Sequence, residues 1–446
     1  MAFIPALDRQ RSIFIKGLSG RRPLIPFEAA TLRETAKRKM STPAWAYIDG
    51  GAGDEKTIAA NLAAFSRVVI RPQMMRPNAS ADLSTTLLGM RLPVPLLLAP
   101  IGVLDLVCRG ADRMVAEACR ETGIPFVFSN QAGIPMETCA AAMGDTPRWF
   151  QLYWSRSDEL VLSFVRRAEA CGCGAIVLTL DTTLLGWRSR DLALGYLPFL
   201  RGMGIAQYTS DKVFLELLRK GFVAPGSGGG QDAMPGSGGD QSAGAMPATG
   251  AAPKPPITPA TIAALLQLKA NYPGGLWKNL FSSEPLEAVR LFTGIYSNPA
   301  LSWEKLAWLR QQTKLPILVK GVLRADDALR ARECGADGVI VSNHGGRQVD
   351  GAIASLDALV AIRASLPKPF PVLLDSGIRS GSDLFKALAL GADAVLLGRP
   401  YAYGLAIGGR RGVREVIQNI SNDFELTARL AGCRTISEIG VDVVGD

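Results

Sequence analysis

One histidine in 446 residues is an unusual shortage, and it excludes chemistry. With His344 as its one imidazole, a zinc centre would have to recruit ligands from distant parts of the chain. Seven cysteines, at 108, 119, 139, 171, 173, 334 and 433, are odd in number, and the closest pair is spaced only Cys-x-Cys. They read as reduced thiols of a cytoplasmic protein, with no structural metal and no disulfide framework. Long apolar runs are also missing. The most apolar stretch, 92–108, is broken by Pro93, Pro95 and Pro100, too short and too interrupted to span a membrane. The opening MAFIPALDRQRSIFIKG lacks the continuous apolar region of a signal peptide. Net charge is +9, yet no four basic residues are consecutive, which argues against a nucleic-acid surface and for attraction of small anions.

What is present is a globular composition, 48% hydrophobic and 20% charged, enough to bury a sizeable core. From residue 92 onward, strand-like runs alternate with amphipathic stretches. The runs are VPLLLA (94–99), PFVFSN (125–130), RWFQLY (148–153), AIVLTLD (175–181), PILVKG (316–321), GVIVSNH (338–344), PVLLDSG (371–377) and AVLLGRP (394–400). Continuous apolar strands joined by helices imply parallel pairing buried on both faces. Eight such units predict an α/β fold, a (β/α)8 TIM barrel, with an open doubly wound sheet as the alternative. Polar residues gather at the C-terminal ends of the runs, where barrel active sites are assembled.

The first 90 residues read mainly as helices, a cap or plug on a barrel of residues 91–446. Strands four and five are separated by an insertion, 192–300, whose low-complexity part, 223–258, repeats PGSGGGQ as PGSGGDQ. No Gly-Lys-Ser/Thr follows these glycines, so they do not form a phosphate loop. The helical flanks place the insertion over the barrel mouth, as a lid or as a neutral surface addition.

If the strand ends converge, the mouth holds the imidazole of His344, the Asp181 carboxylate, the guanidinium groups of Arg188 and Arg347, the Tyr153 phenol and the Lys320 ammonium. Two arginines can fork onto a carboxylate, and an imidazole held by a carboxylate can accept a proton. That set predicts proton abstraction beside a carboxylate, with electrons passing to an organic cofactor. A second cluster, Gly377 and Arg379 with Gly398 and Arg399, sits after the last two strands, where barrels commonly bind phosphate.

These motifs, with AYIDGGAGDEKT, LAPIGV, GDTPRWFQLY, LTLDTTLLGWRSRD, IVSNHGGRQ, LLDSGIRSGSDLFKALALGA and LLGRPYAYGLAIGG, resemble the FMN-dependent L-2-hydroxyacid oxidase and dehydrogenase family, and most of all its lactate 2-monooxygenase branch. The resemblance covers about residues 27–440. It implies an FMN-dependent oxidation of a small L-2-hydroxy acid with O2 as acceptor, and a homo-oligomer of four or more chains. His344 resembles the catalytic base and Asp181 its orienting carboxylate. Arg188, Arg347 and Tyr47 resemble the substrate-carboxylate contacts, and Tyr153 the phenol bonded to the substrate hydroxyl. Lys320 would lie by the flavin N1 and O2 edge. Ile101 and Gly102 through their backbone, with Ser129, Gln151, Thr179 and Ser342, would hold the ring, Asp375 the ribityl chain, and Gly377, Arg379, Gly398 and Arg399 the phosphate. The sequence departs from the family's pattern at Gln131, where glycolate-oxidase-type members carry tryptophan, at Ser376, in place of glycine, and at Gly102, in place of alanine. Release of keto acid and peroxide, a non-oxygen acceptor, and a non-catalytic flavin scaffold are the alternative outcomes.

Overall fold

The structure, a computed structural model, describes residues 4–77, 79–222 and 256–445. All but the last three residues of the low-complexity segment lie outside these. Strands β1 (Val69–Ile70), β2 (Thr85–Leu87) and β3 (Met90–Leu92) come first. They are followed by β4 (Leu96–Leu98), β5 (Phe126–Phe128), β6 (Arg148–Leu152), β7 (Ile176–Thr179), β8 (Ile317–Val322), β9 (Gly338–Val341), β10 (Val372–Asp375) and β11 (Ala394–Leu397), and finally by β12 (Val444–Gly445). Strands β4 to β11 close into a parallel barrel in chain order, with β11 returning to β4. All eight strand-like runs are barrel strands, and the chain has the expected TIM-barrel fold.

Closure follows from the apolar pattern. Side chains alternate faces along a strand. Leu96, Leu98, Phe126, Phe128, Ile176 and Leu178 therefore pack outward under the helices, while Leu97, Val127, Trp149, Val177, Leu318, Ile340, Leu373 and Leu396 fill the inside. Neither face meets water, which is the condition under which parallel strands are stable. Helices Ala111–Thr122, Met136–Met143, Asp158–Ala170, Ala325–Glu333, Ser355–Ser365 and Gly381–Ala389 return the chain between strands, and Arg399–Leu430 follows the last. Between β7 and β8 the insertion intervenes. Its described parts are short helices on both sides of the undescribed stretch, including Lys212–Arg219 and Pro259–Asn271.

The N-terminal helices Ala6–Gly17 and Ala29–Lys37 pack on Arg399–Leu430, and Lys56–Arg67 packs on Ser355–Ser365. The segment that reaches the inner core is the β2–β3 hairpin, whose Leu87 and Leu92 close the barrel floor. Helical periodicity does not reveal it, because each strand has three residues. Its two-residue turn is Leu88-Gly89, both at positive φ, the backbone such hairpins require. Among the described residues, no helix is long and apolar enough to cross a membrane, and no cluster of three His, Cys, Asp or Glu side chains could hold a metal ion.

Leu92 is fully buried, so Leu92→Ala is expected to lower unfolding free energy by about 2–5 kcal/mol in urea denaturation. Met75→Ala, at a fully solvent-facing position, is expected to stay within about 0.5 kcal/mol of the parent. Equal midpoints for the two variants would contradict a packed floor.

Candidate active site

The alternation that fills the barrel also builds the site above it. Two positions beyond the apolar inner layer, the strands present Ser129, Gln151, Thr179, Lys320, Ser342, Asp375 and Gly398. Two positions further come Gln131, Tyr153, Asp181, His344 and Gly377. A hydrophobic plug is thus overlaid by a polar ring and then by the groups that can do chemistry.

In the polar ring, Lys320 Nζ donates to Ser342 Oγ at 2.9 Å and lies 3.1 Å from Asp375 Oδ2. Burial disfavours the charged ammonium, but Asp375 and Asp181 outweigh it and raise the Lys320 pKa above its ordinary value. Ser342 Oγ also accepts from the His344 N–H at 3.0 Å. Ser129 Oγ accepts from the Gln131 N–H, and Gln151 Oε1 from the Asn130 N–H, both at 3.1 Å. Gln151 Nε2 and Thr179 Oγ1 are buried with no partner in the protein. Such atoms cost free energy unless something satisfies them.

His344 sits on a left-handed turn. Its φ is 57°, and Gly345 and Gly346 follow at 65° and 73°. Glycine is needed at both following positions, since a Cβ on Gly345 would fall 2.7 Å from Arg399 Nη1, and one on Gly346 2.9 Å from the Ile58 nitrogen. A non-glycine residue in this region costs about 1–2 kcal/mol, and the turn is held by Gly345 N–H to Ser376 Oγ at 2.9 Å and Gly346 N–H to Asn343 Oδ1 at 3.1 Å. Ser376 is itself at φ 78°, a left-handed conformation that glycine adopts without strain. Its hydroxyl compensates by also donating to Asp375 at 2.7 Å.

The turn aims His344 Nδ1 at Asp181 Oδ1, 2.8 Å away, with Thr182 Oγ1 3.1 Å from the same oxygen. Burial pushes the Asp181 carboxyl up, but the charges of His344 and Lys320 and hydrogen bonds from His344 and Thr182 hold it down at about 2. The His344 pKa is lowered. Burial is the main cause, Asp181 opposes it, and Lys320 and Arg188 add to it. A neutral ring that donates Nδ1–H to Asp181 leaves Nε2 free to accept a proton. The Tyr153 phenol is pushed up by burial and by the Asp181 charge, so it stays a donor.

Tyr47 is delivered by the N-terminal helix Thr42–Asp49, which Ser41 caps through Ala44 N–H. Asp49, at the end of that helix, is anchored by Arg33 at 2.6 and 2.7 Å, Arg190 at 2.8 Å and the Tyr403 hydroxyl at 2.6 Å. Over the Tyr47 ring lie the guanidinium carbons of Arg347, at 4.9 Å, and Arg188, at 5.8 Å. Arg347 donates to the carbonyls of Tyr47 and Gly50. Burial first, then Arg188, lowers its pKa to about 9. At the far end, Arg399 donates to the carbonyls of Ile48, Gly345 and Gly50, and Arg379 to that of Ile378. None of these four arginines has a carboxylate within 4.0 Å among the described residues.

These groups surround one cleft with about 970 Å³ of atom-free space. Of the expected site residues, Tyr47, Ile101, Gly102, Tyr153, Arg188, Lys320, His344, Arg347, Asp375, Gly377, Arg379, Gly398 and Arg399 border it. Asp181 stands behind His344, and Ser129, Gln151, Thr179 and Ser342 lie in the buried ring beneath. Sequence reasoning missed Thr182, Leu185, Phe199 and Tyr296, which also border the cleft. The last two come from the insertion, where no strand period points to them. Phe199 and Tyr296 are tilted rings at 6.2 Å, and Tyr296 stacks on Phe292 at 5.1 Å.

The cleft fits FMN on two observations. The unsatisfied Gln151 and Thr179 atoms match the polar edge of a flavin ring, and Arg379 and Arg399, compensated only by carbonyls, match its phosphate.

The family model described as FMN-dependent dehydrogenase matches residues 36–446. An FMN-dependent alpha-hydroxy acid dehydrogenase of Penicillium citrinum is 37% identical over 434 residues, covering 97% of this chain and 94% of the relative. An L-lactate oxidase of Lysinibacillus sphaericus is 34% identical over 424 residues, covering 95% and 94%. The crystal structure of a mandelate oxidase superposes with a TM-score of 0.69 at 29% identity, over 93% of this chain and 97% of that one. A cleft whose polar floor suits a flavin and whose arginines await an anion is therefore matched along nearly the whole chain: the protein belongs to the FMN-dependent 2-hydroxy acid dehydrogenase and oxidase family.

Proposed function

We propose that this enzyme oxidises a small L-2-hydroxy acid, L-lactate foremost, with O2 as acceptor. The observation that carries the reading is the His344–Asp181 pair facing the same cleft as the guanidinium groups of buried Arg188 and partly buried Arg347, which have no carboxylate partner among the described residues. An unpaired buried cation is costly, and a substrate carboxylate removes that cost. Arg188 and Arg347 hold the carboxylate, Tyr153 donates to the substrate oxygen, and His344 Nε2 accepts the proton the substrate releases. Asp181 fixes the imidazole tautomer and stabilises the imidazolium. FMN, when bound, supplies the acceptor for the two electrons given up by the hydroxy acid. Its ring would be held by Ser129, Gln151, Thr179, Ser342, Lys320 and the backbone of Ile101 and Gly102, its ribityl chain by Asp375, and its phosphate by Gly377, Arg379, Gly398 and Arg399.

Leu185, Phe199 and Tyr296 give the cleft an apolar wall, suited to a methyl side chain, and the likeness to an L-lactate oxidase supports the same acid. The described parts of the 192–300 insertion, 192–222 and 256–300, then act as a lid on the barrel of residues 91–446, with 1–90 as its N-terminal segment. A lid that keeps the keto acid bound favours oxidative decarboxylation, in which lactate and O2 give acetate, CO2 and water. Early release gives pyruvate and peroxide. Seven free cysteines support a reducing, cytoplasmic setting, and the exposed Leu7 and Phe14 of the first helix and Leu18 just after it support a homo-oligomer.

Anaerobic mixing with L-lactate is expected to bleach the flavin absorbance faster than glycolate or (S)-mandelate does, and air is then expected to yield acetate. Pyruvate with stoichiometric peroxide would contradict decarboxylation, and a spectrum that no 2-hydroxy acid bleaches would contradict the oxidation itself. His344→Gln is expected to keep FMN bound and to slow bleaching by about 10² to 10⁴.

His344 must be neutral to act, and its folded pKa is lowered. The kcat/KM of the parent enzyme is therefore expected to fall on the acid side, with its limb below about 6.5. Asp181 is the influence that raises this pKa, so Asp181→Asn is expected to move the limb further toward acid while slowing the reaction. A limb that moves toward alkaline pH would contradict the pairing.

A further inference from the structure

The loop after β7 carries Asp181 at one end and Arg188 at the other, so one short segment sets both the partner of the base and half of the carboxylate clamp. Apolar burial does little to hold it. Leu184 is 51% and Trp187 74% exposed. Hydrogen bonds hold it instead: Ser297 Oγ donates to the Thr183 carbonyl at 2.6 Å, Gly53 N–H to the Trp187 carbonyl at 2.9 Å, and a single primary amide spans the whole loop. Gln348 Nε2 donates to the carbonyls of Asp181 at 2.5 Å and Leu184 at 2.9 Å, and Gln348 Oε1 accepts from Gly186 N–H at 3.4 Å and from Arg188 Nη2 at 3.3 Å. All four bonding positions of one amide group are directed at residues 181–188.

A second observation is independent of these bonds. A Cβ on Gly186 would fall 2.5 Å from the Arg347 carbonyl oxygen and 2.8 Å from the Gln348 Cα. The loop therefore lies directly on the backbone of 347–348, and only a residue without a side chain permits that approach. The two ends of the loop differ in their other anchors. At the Asp181 end, Leu180 N–H donates to the Lys320 carbonyl at 2.9 Å and His344 holds the carboxylate. At the Arg188 end, the backbone is tied through Gly53 to Trp187 and Ser189, but the guanidinium itself has Gln348, one long contact of 3.5 Å to the Arg347 carbonyl and the Tyr47 ring at 5.8 Å.

We propose that Gln348 is the positioning residue of the carboxylate clamp: by stapling 181–188 onto the His344–Arg347 turn, it sets the place of Arg188 relative to His344. Its role in turnover rests on the substrate reading above, while the staple itself does not. Because Asp181 keeps its own anchors, loss of the amide acts on substrate binding more than on proton transfer, that is on KM more than on kcat.

The test compares the FMN-loaded parent with Gln348→Leu and Gln348→Glu. In Gln348→Leu, the peptide spanning 181–188 is expected to exchange amide hydrogen about 10-fold faster or more. FMN content and Tm are expected to stay near parental values. KM for L-lactate is expected to rise about 10- to 100-fold with kcat within about 3-fold. Gln348→Glu keeps the acceptor but adds a negative charge beside Arg188, and is expected to raise KM more than Gln348→Leu does. Parental exchange of 181–188 in Gln348→Leu would overturn the staple. Equal losses of kcat and KM, or loss of FMN and Tm together, would overturn the positioning role in favour of general structure. A parent that no 2-hydroxy acid reduces would contradict the substrate reading alone, since hydrogen exchange reads the staple without substrate.

Discussion

Every second side chain of a β-strand faces the same way, and in a closed ring of eight parallel strands the inward set must stack in layers. That constraint organises the whole molecule. The lower layer is apolar and sealed below by Leu87 and Leu92. The next holds the ring from Ser129 to Asp375, and the one above brings Tyr153, Asp181 and His344 over it. A shift of one residue in any strand would turn its share of all three layers outward. Fold and site therefore have a common cause, and the packing that stabilises the barrel also fixes the positions of the chemical groups.

Charge supplies the second constraint. The cleft is bordered by Arg188, Arg347, Arg379, Arg399 and Lys320 against Asp375 alone, and of the cations only Lys320 has a carboxylate within 4.0 Å among the described residues. Burial lowers the pKa of Arg347 and Arg379, the direction expected of desolvated cations. In the proposed reading two separate anions pair with these cations, a phosphate at one end and a substrate carboxylate at the other. His344 borders the same cleft, its pKa lowered by burial first and by the neighbouring cations, against the opposing pull of Asp181.

Much of this was legible in the sequence because strands carry a period. The eight apolar runs located the barrel, and the polar residues at their ends located the mouth. The pairing of His344 with Asp181 was suggested by their shared position at strand ends, and the roles of Gln151 and Thr179 by family resemblance. The β2–β3 floor was not legible, since strands of three residues carry no usable period. Phe199 and Tyr296 were hidden in an insertion without one. Gln348 ends the motif IVSNHGGRQ but nothing in the sequence assigns it a role, because its four hydrogen bonds reach a loop more than 150 residues away in the chain and depend on the bare backbone of Gly186. Ser376 stood out as a departure in the sequence, and only the structure shows its hydroxyl bridging Asp375 and Gly345.

The central claim is that the polar ring holds FMN while Arg188 and Arg347 hold a carboxylate beside His344. A crystal structure of the FMN-loaded protein with oxalate, an unreactive carboxylate, measures it directly. The expected result is a flavin ring hydrogen-bonded to Gln151 Nε2 and Thr179 Oγ1, with oxalate bridging both guanidinium groups and one of its oxygens within about 3.2 Å of His344 Nε2. Oxalate bound elsewhere, or a flavin that leaves those two buried atoms unsatisfied, would contradict the account.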